Sequence, residues 1–226
     1  IRTSSHGMLL PEMPKRPLTL LHTSDLHLVN LDGGDSLASA SHVGLSRVID
    51  AAIVHQADLL LIAGDLFDSN RVGEACLAYV YLQLRRLDAP VVIVPGNHDC
   101  LNEQSIYHRF DRAAAGSHVH LLAEEAGETI NLEDLQMRVW GRGIVDHHPG
   151  NQPMEIVPRR VNNHWHVGIT HGYYSDRGAD IYSSVITAEE IANADLDYLA
   201  LGHVHVYAEV TQGSTCAAYS GSPNVH

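Results

Sequence analysis

Five short apolar runs recur along this chain, and each one ends in a polar cluster. Residues 18–21 lead into Thr23-Ser24-Asp25-Leu26-His27, Leu59–Ala63 into Gly64-Asp65-Leu66-Phe67-Asp68, and Val91–Val94 into Pro95-Gly96-Asn97-His98-Asp99. Residues 166–169 lead into Thr170-His171-Gly172, and residues 198–201 into Gly202-His203-Val204-His205. Runs that are apolar throughout, without alternation, are expected for strands buried on both faces.

Helical spacing fills the gaps between the first three runs. Leu45, Val48, Ile49, Ala52 and Ile53 recur at helical intervals, and so do Leu77, Val80, Tyr81 and Leu84, with Ser69 or Asn70 as the expected cap of the second helix. Strand–helix–strand–helix–strand predicts a parallel sheet joined by right-handed crossovers. From about residue 121 to 145 the pattern shifts to shorter alternating stretches, 129–132 and 136–140, which predict antiparallel strands. Residues 206–210 and 216–219 read as a hairpin. No internal repeat or linker marks a second domain, so residues 8–226 are expected to form one catalytic domain. Residues 1–7 read as a cloning remnant or disordered start.

The polar clusters fall at the carboxyl ends of the runs, the edge at which open α/β sheets bind ligands. Five motifs can therefore converge on one place. Taken singly each is weak: an Asp-x-His is common by chance, and Gly-Asn-His-Asp has a tight turn as its plain explanation. Their conjunction, in order and each behind a buried strand, points to a metal centre. Asp25 and His27, two apart on an extended strand end, are expected to leave the same face. Carboxylate and amide oxygens suit a hard divalent cation, and imidazole suits Mn, Fe, Zn or Ni. Asp65, with two carboxylate oxygens, can bridge two ions roughly 3.5–4 Å apart. Glycines before Asp65, Asn97 and His203 allow sharp turns and close approach.

Composition narrows the class. Seventeen histidines stand beside a single lysine, Lys15, which suggests imidazoles with work other than packing. The three cysteines, Cys76, Cys100 and Cys216, form neither a disulfide framework nor a Cys-x-x-Cys metal site. The formal net charge of −13 disfavours a broad electrostatic footprint on nucleic acid. No apolar run is long enough to span a bilayer, and no leader pattern precedes the first motif, so the expected location is cytoplasmic.

Together, Asp25-x-His27, Gly64-Asp65-x-x-Asp68, Gly96-Asn97-His98-Asp99, His171 and Gly202-His203-x-His205 resemble the complete signature of the calcineurin-like metallophosphoesterases. The resemblance implies an α/β fold, a four-layer α/β/β/α sandwich with two central mixed sheets. It implies two divalent ions, with Mn²⁺ the first choice and Fe, Zn or Ni as alternatives. Asp25, His27, Asp65 and His205 would hold one ion; Asp65, Asn97, His171 and His203 would hold the other. Direct attack of a metal-bridging hydroxide on phosphorus follows, with His98 as general acid for the departing oxygen. The family pairs His98 with Asp68. A further set, Arg142, His147 and His148, is a candidate for binding a phosphate oxygen, with a solvated loop as the plainer reading.

The substrate expectation is a phosphomonoester or phosphodiester. The style of residues 197–205 and Tyr219-Ser220-Gly221-Ser222-Pro223 is similar to the bacterial DNA-repair exonuclease branch, whose members include the nuclease partner of an SMC-like ATPase. A nuclease is therefore the alternative reading. The third, a metal-bound interaction scaffold without turnover, is disfavoured by retention of every ligand together with His98. Oligomeric state is not legible in the sequence.

Overall fold

The computed structural model describes residues 15–30, 40–146, 148, 150–161, 163–176 and 184–224. Strand β1 (Leu20–Thr23), helix α1 (Ala40–Val54), β2 (Leu59–Ala63), α2 (Glu74–Leu84) and β3 (Val91–Val94) follow in the predicted alternation. A short helix α3 (Arg112–Ala115) and strand β4 (Val119–Leu121) complete a four-stranded sheet ordered β1-β2-β3-β4. All of its pairings are parallel. The chain then builds β5 (Glu128–Leu132), β6 (Met137–Arg142), β7 (Trp165–His171), β8 (Tyr173–Tyr174), β9 (Val185–Ile186), α4 (Ala188–Asn193), β10 (Tyr198–Gly202), β11 (Ala208–Glu209) and β12 (Cys216–Tyr219). Six of these strands form a second sheet, ordered β11-β12-β10-β7-β6-β5. This sheet is mixed: β5 and β11 run antiparallel to their neighbours and the rest pair in parallel.

Alternate residues of β2 and β3 sort into two cores because successive side chains leave opposite faces of a strand. Leu60, Ile62, Val91 and Ile93 face outward and pack on Leu45, Ile49, Leu77 and Val80 of α1 and α2. Leu59, Leu61, Ala63, Val92 and Val94 face inward and meet Met137, Val139, Val167 and Ile169 of the second sheet. The outer face of that sheet, with Leu199, Leu201 and Ala217, is covered by Ile191 of α4. The result is the four-layer α/β/β/α order, with the first sheet parallel throughout its described residues and the second mixed.

Two local expectations shift. Ile53, at the end of the predicted apolar face of α1, is 46% exposed because the helix turns that position away from the sheet. Helix α2 starts at Glu74, and its N-cap Gly73 makes no side-chain cap bond. Neither Ser69 nor Asn70 caps it: Ser69 accepts from the Arg71 N–H, and Asn70 is held by Cys100 and Ile106. By contrast α4 opens on a capping box in which Thr187 and Glu190 bond each other's backbone N–H. Residues 1–7 lie outside the described residues. Among the described residues no helix is long and apolar enough to cross a membrane.

Candidate metal centre

The two sheets place their carboxyl ends side by side, and the five motifs meet there. Asp25 and His27 follow β1, Asp65 follows β2, and Asn97 follows β3. His171 is the last residue of β7, and His203 and His205 follow β10. The first two loops run as a pair: the Asp25 N–H donates to the Gly64 carbonyl at 3.1 Å and the His27 N–H to the Asp65 carbonyl at 3.0 Å.

Asp25 and His27 converge for a different reason from the one their spacing suggested. Both have left-handed backbone, φ 55° and 46°, so the chain curls where an extended strand end was expected. Asp65 (φ 51°) and His203 (φ 104°) share this conformation. Four of the seven predicted ligands thus sit in backbone that costs about 1–3 kcal/mol each, a concentration of strain characteristic of functional sites. Two glycines permit the close approach. A Cβ on Gly202 would lie 1.7 Å from the Ala63 carbonyl oxygen, and one on Gly96 would lie 2.2 Å from Asp65 Oδ1.

Side-chain bonds then aim the donors. The His171 Nδ1–H donates to the Ala63 carbonyl at 2.9 Å, which turns Nε2 toward Asn97 Oδ1 at 2.9 Å and Asp65 Oδ2 at 3.5 Å. His203 Nδ1 lies 3.0 Å from the same Asn97 oxygen. Asp65 Oδ1 accepts the His98 N–H at 2.8 Å, while Oδ2 stands 3.8 Å from His27 Nε2. A single oxygen of Asp65 therefore reaches imidazoles of both predicted ligand sets. Asp25 Oδ2 accepts the Ser24 hydroxyl and the His203 N–H, whereas Oδ1 is buried without a hydrogen-bond partner, 3.6 Å from His205 Nε2. His27 Nε2 and His205 Nε2 approach to 3.3 Å.

This cluster of lone pairs fits divalent cations. Asp25, Asp65 and His171 are almost completely buried, and their ligand atoms lie within 4.8 Å of one another, as do those of Asp25, His27 and His205. Two buried carboxylates this close require positive charge between them. Burial, with the neighbouring Asp25 charge, raises the Asp65 carboxyl above its ordinary range, against the lowering effect of His171. Burial works to lower His171, but Asp65, Asp25 and the Ala63 carbonyl outweigh it and the ring is raised. Burial and the neighbouring His171 push His203 down to about 4. Divalent ions held by the same atoms would take the place of this contest for protons.

His98 stands at the rim, 45% exposed, and its Nδ1 is 3.0 Å from the Asp68 main-chain carbonyl. The Asp68 carboxylate is 4.0 Å from the same nitrogen and 3.6 Å from His27 Nδ1. A cavity of about 430 Å³ opens beside them, lined by residues 68–71 with Asn97, His98, Asn102 and Gln104. Arg142 does not line it. Its guanidinium binds the Glu155 carboxylate at 2.8 Å and the carbonyls of Gln152 and Glu125. His148 turns into its own loop and accepts the Gly150 N–H, and His147 lies outside the described residues.

Residues to which the sequence assigned no role support this centre. Asp99 is fully buried and accepts the Gly96 N–H, the Phe67 N–H and the Tyr107 hydroxyl, tying the second and third motifs together. Ser222 donates to the Asp25 carbonyl and Asn224 to the Leu26 carbonyl, so the segment after β12 clamps the first motif. The signals were in view: Asp99 closes the Gly-Asn-His-Asp motif, and Ser222 sits in the stretch after Tyr219.

The family model for calcineurin-like phosphoesterases matches residues 18–207. The uncharacterized metallophosphoesterase YhaO of Bacillus subtilis (strain 168) is 26% identical over 226 residues, covering 91% of this chain and 53% of that protein. The D subunit of nuclease SbcCD from Escherichia coli (strain K12) is 25% identical over 248 residues, covering 91% of this chain and 60% of that protein. The chain thus spans between about half and three-fifths of these relatives' lengths. Among solved structures, TT1561 of Thermus thermophilus shares the fold, with a TM-score of 0.58 at 13% identity, over 92% of this chain and 91% of that one. Motifs, layer order and a family match over most of the chain agree, and the chain belongs to the calcineurin-like phosphoesterase family.

Proposed function

We propose that this protein is a dinuclear metal-dependent phosphodiesterase acting on phosphodiesters of the nucleic-acid type. The observation that carries the reading is Asp65 Oδ2, set within 4 Å of both His27 Nε2 and His171 Nε2, beside the unpartnered Asp25 Oδ1. Asp25, His27, Asp65 and His205 would hold one ion, and Asp65, Asn97, His171 and His203 the other. Bound there, two divalent ions supply charge for the phosphoryl oxygens and lower the pKa of water to near neutrality.

The chain's own residues do the rest. Asp65 holds the two ligand sets in register through one carboxylate, itself fixed by the His98 N–H. His98 donates Nδ1–H to the Asp68 carbonyl, which leaves Nε2 to carry the proton for the departing oxygen. The nucleic-acid substrate class is favoured by the relatives from the SbcCD nucleases. The net charge of −13 argues for short or single-stranded substrates, since a long duplex track needs many cationic contacts.

The test is turnover of bis(p-nitrophenyl) phosphate and of a short single-stranded oligonucleotide by chelated protein reloaded with Mn²⁺. The reading requires both activities and their loss on chelation. Hydrolysis of phosphomonoesters alone would refute the diester assignment.

A further inference from the structure

Among the described residues, the cavity beside His98 has one arginine or lysine in its lining, and that residue has no partner among them. Arg71 is exposed, and among the described residues its guanidinium makes no hydrogen bond or ion pair. This contrasts with Arg16, Arg86, Arg109, Arg142 and Arg160, each held by a carboxylate. Most of the amide wall around Arg71 is already committed. Asn70 donates to the Cys100 carbonyl at 3.0 Å and accepts the Ile106 N–H at 2.8 Å; Asn102 accepts the Gln104 N–H at 2.9 Å. These bonds fix the loop on either side of the cavity and pin the backbone from which Arg71 projects. They leave the Arg71 guanidinium, with the Gln104 side-chain amide, as donors open to a ligand.

We propose that Arg71 is a specificity-determining residue that binds a second phosphate of the substrate, on the leaving-group side of the scissile phosphodiester. The inference rests on the proposed diesterase reading, because His98, the residue assigned to the departing oxygen, lines the same cavity. A volume of about 430 Å³ falls in the range of about 300–1,000 Å³ typical of small-ligand sites, enough for a nucleotide-sized group. A guanidinium is suited to this task because its fork of N–H donors matches two phosphate oxygens. On a chain of net charge −13, an arginine with no partner among the described residues at the mouth of the site also supplies local attraction that the general surface does not.

The test compares the dinucleotide TpT with pTpTp, which carries a phosphate at both ends, on Mn²⁺-loaded wild type and Arg71→Gln. Two readouts are taken: kcat/KM for the natural linkage, and equilibrium affinity for the same pair with a phosphorothioate linkage. Wild type should prefer the phosphorylated form at least about tenfold in both, the scale of one charge-assisted contact. Arg71→Gln should bring both ratios close to one, and Arg71→Lys should restore part of the preference. A wild-type ratio near one, or an unchanged ratio in Arg71→Gln, would overturn the assignment. If Mn²⁺-loaded wild type turns over neither dinucleotide, the diesterase reading fails, while the affinity ratio still decides the role of Arg71.

Discussion

His98 Nδ1 lies 3.0 Å from the main-chain carbonyl of Asp68 and 4.0 Å from its carboxylate. The ring is therefore oriented by backbone, an attachment that no side-chain substitution at position 68 removes. Asp68→Asn should leave kcat/KM for an alkyl or nucleoside diester within about tenfold of wild type. Steady-state kinetics on that ester decide the point. A loss as deep as that of a His98 variant would show that the carboxylate itself is needed.

His98 should matter most where the leaving group is poor. His98→Asn should slow a nucleoside diester by roughly 10²–10⁴-fold, the usual scale of general acid catalysis. A nitrophenyl ester, whose phenolate departs without a proton, should suffer far less, and bound metal should be unchanged. Equal losses on both esters with metal retained would assign His98 to the phosphoryl oxygens.

The approach of the two sheets at the site gives a stability prediction. Gly202→Ala would force a methyl to within 1.7 Å of the Ala63 carbonyl oxygen, so β10 and β2 must separate. Destabilisation should reach or exceed the upper end of about 1–3 kcal/mol seen for overpacking, with loss of metal binding. Gly73→Ala is the control: its added carbon meets only Asn30 Oδ1 at 3.4 Å, and the change should stay within about 1 kcal/mol. Urea unfolding of both variants measures this, and an unaltered midpoint for Gly202→Ala would refute the contact.

His22, on β1, supplies a pH dependence. Burial pushes its pKa down from 6.5 to about 4, and its Nδ1 is 3.0 Å from the Tyr198 hydroxyl. The folded state excludes a proton that the unfolded chain accepts. Its stability is therefore complete above about pH 6.5 and falls as pH drops toward 4. Near pH 5 the loss should be about 2 kcal/mol. His22→Leu should remove that part of the acid sensitivity. Melting temperatures of wild type and variant at pH 7.5 and pH 5 check it, and parallel losses in both would exclude His22 as the cause.

What the sequence made legible, and what it did not, follows from the range of the interactions involved. Leu59–Ala63 and Val91–Val94 declare themselves because every residue is buried, a local pattern with no competing reading. The five motifs are legible because each follows such a run. Strand β4 escaped notice because it is three residues long and half-buried His120 interrupts its apolar run. The helix cap at Ser69 or Asn70 failed because tertiary bonds to Cys100 and Ile106 claimed Asn70 first. The left-handed backbone at Asp25 and His27 depends on pairing with residues 64–66 across the sheet, which local spacing does not encode. Arg142 resembled a pocket cation until its long-range bonds to Glu125 and Glu155 were visible.

The central claim is that Asp65 joins two metal sites, and counting ions tests it most directly. Exhaustively chelated protein is reloaded with Mn²⁺, and bound metal per chain is measured by elemental analysis beside diester turnover. Wild type should bind two ions and be inactive without them. Asp65→Ala should fall well below two, with turnover lost. Full activity in verified metal-free protein, or two ions and native turnover in Asp65→Ala, would contradict the account.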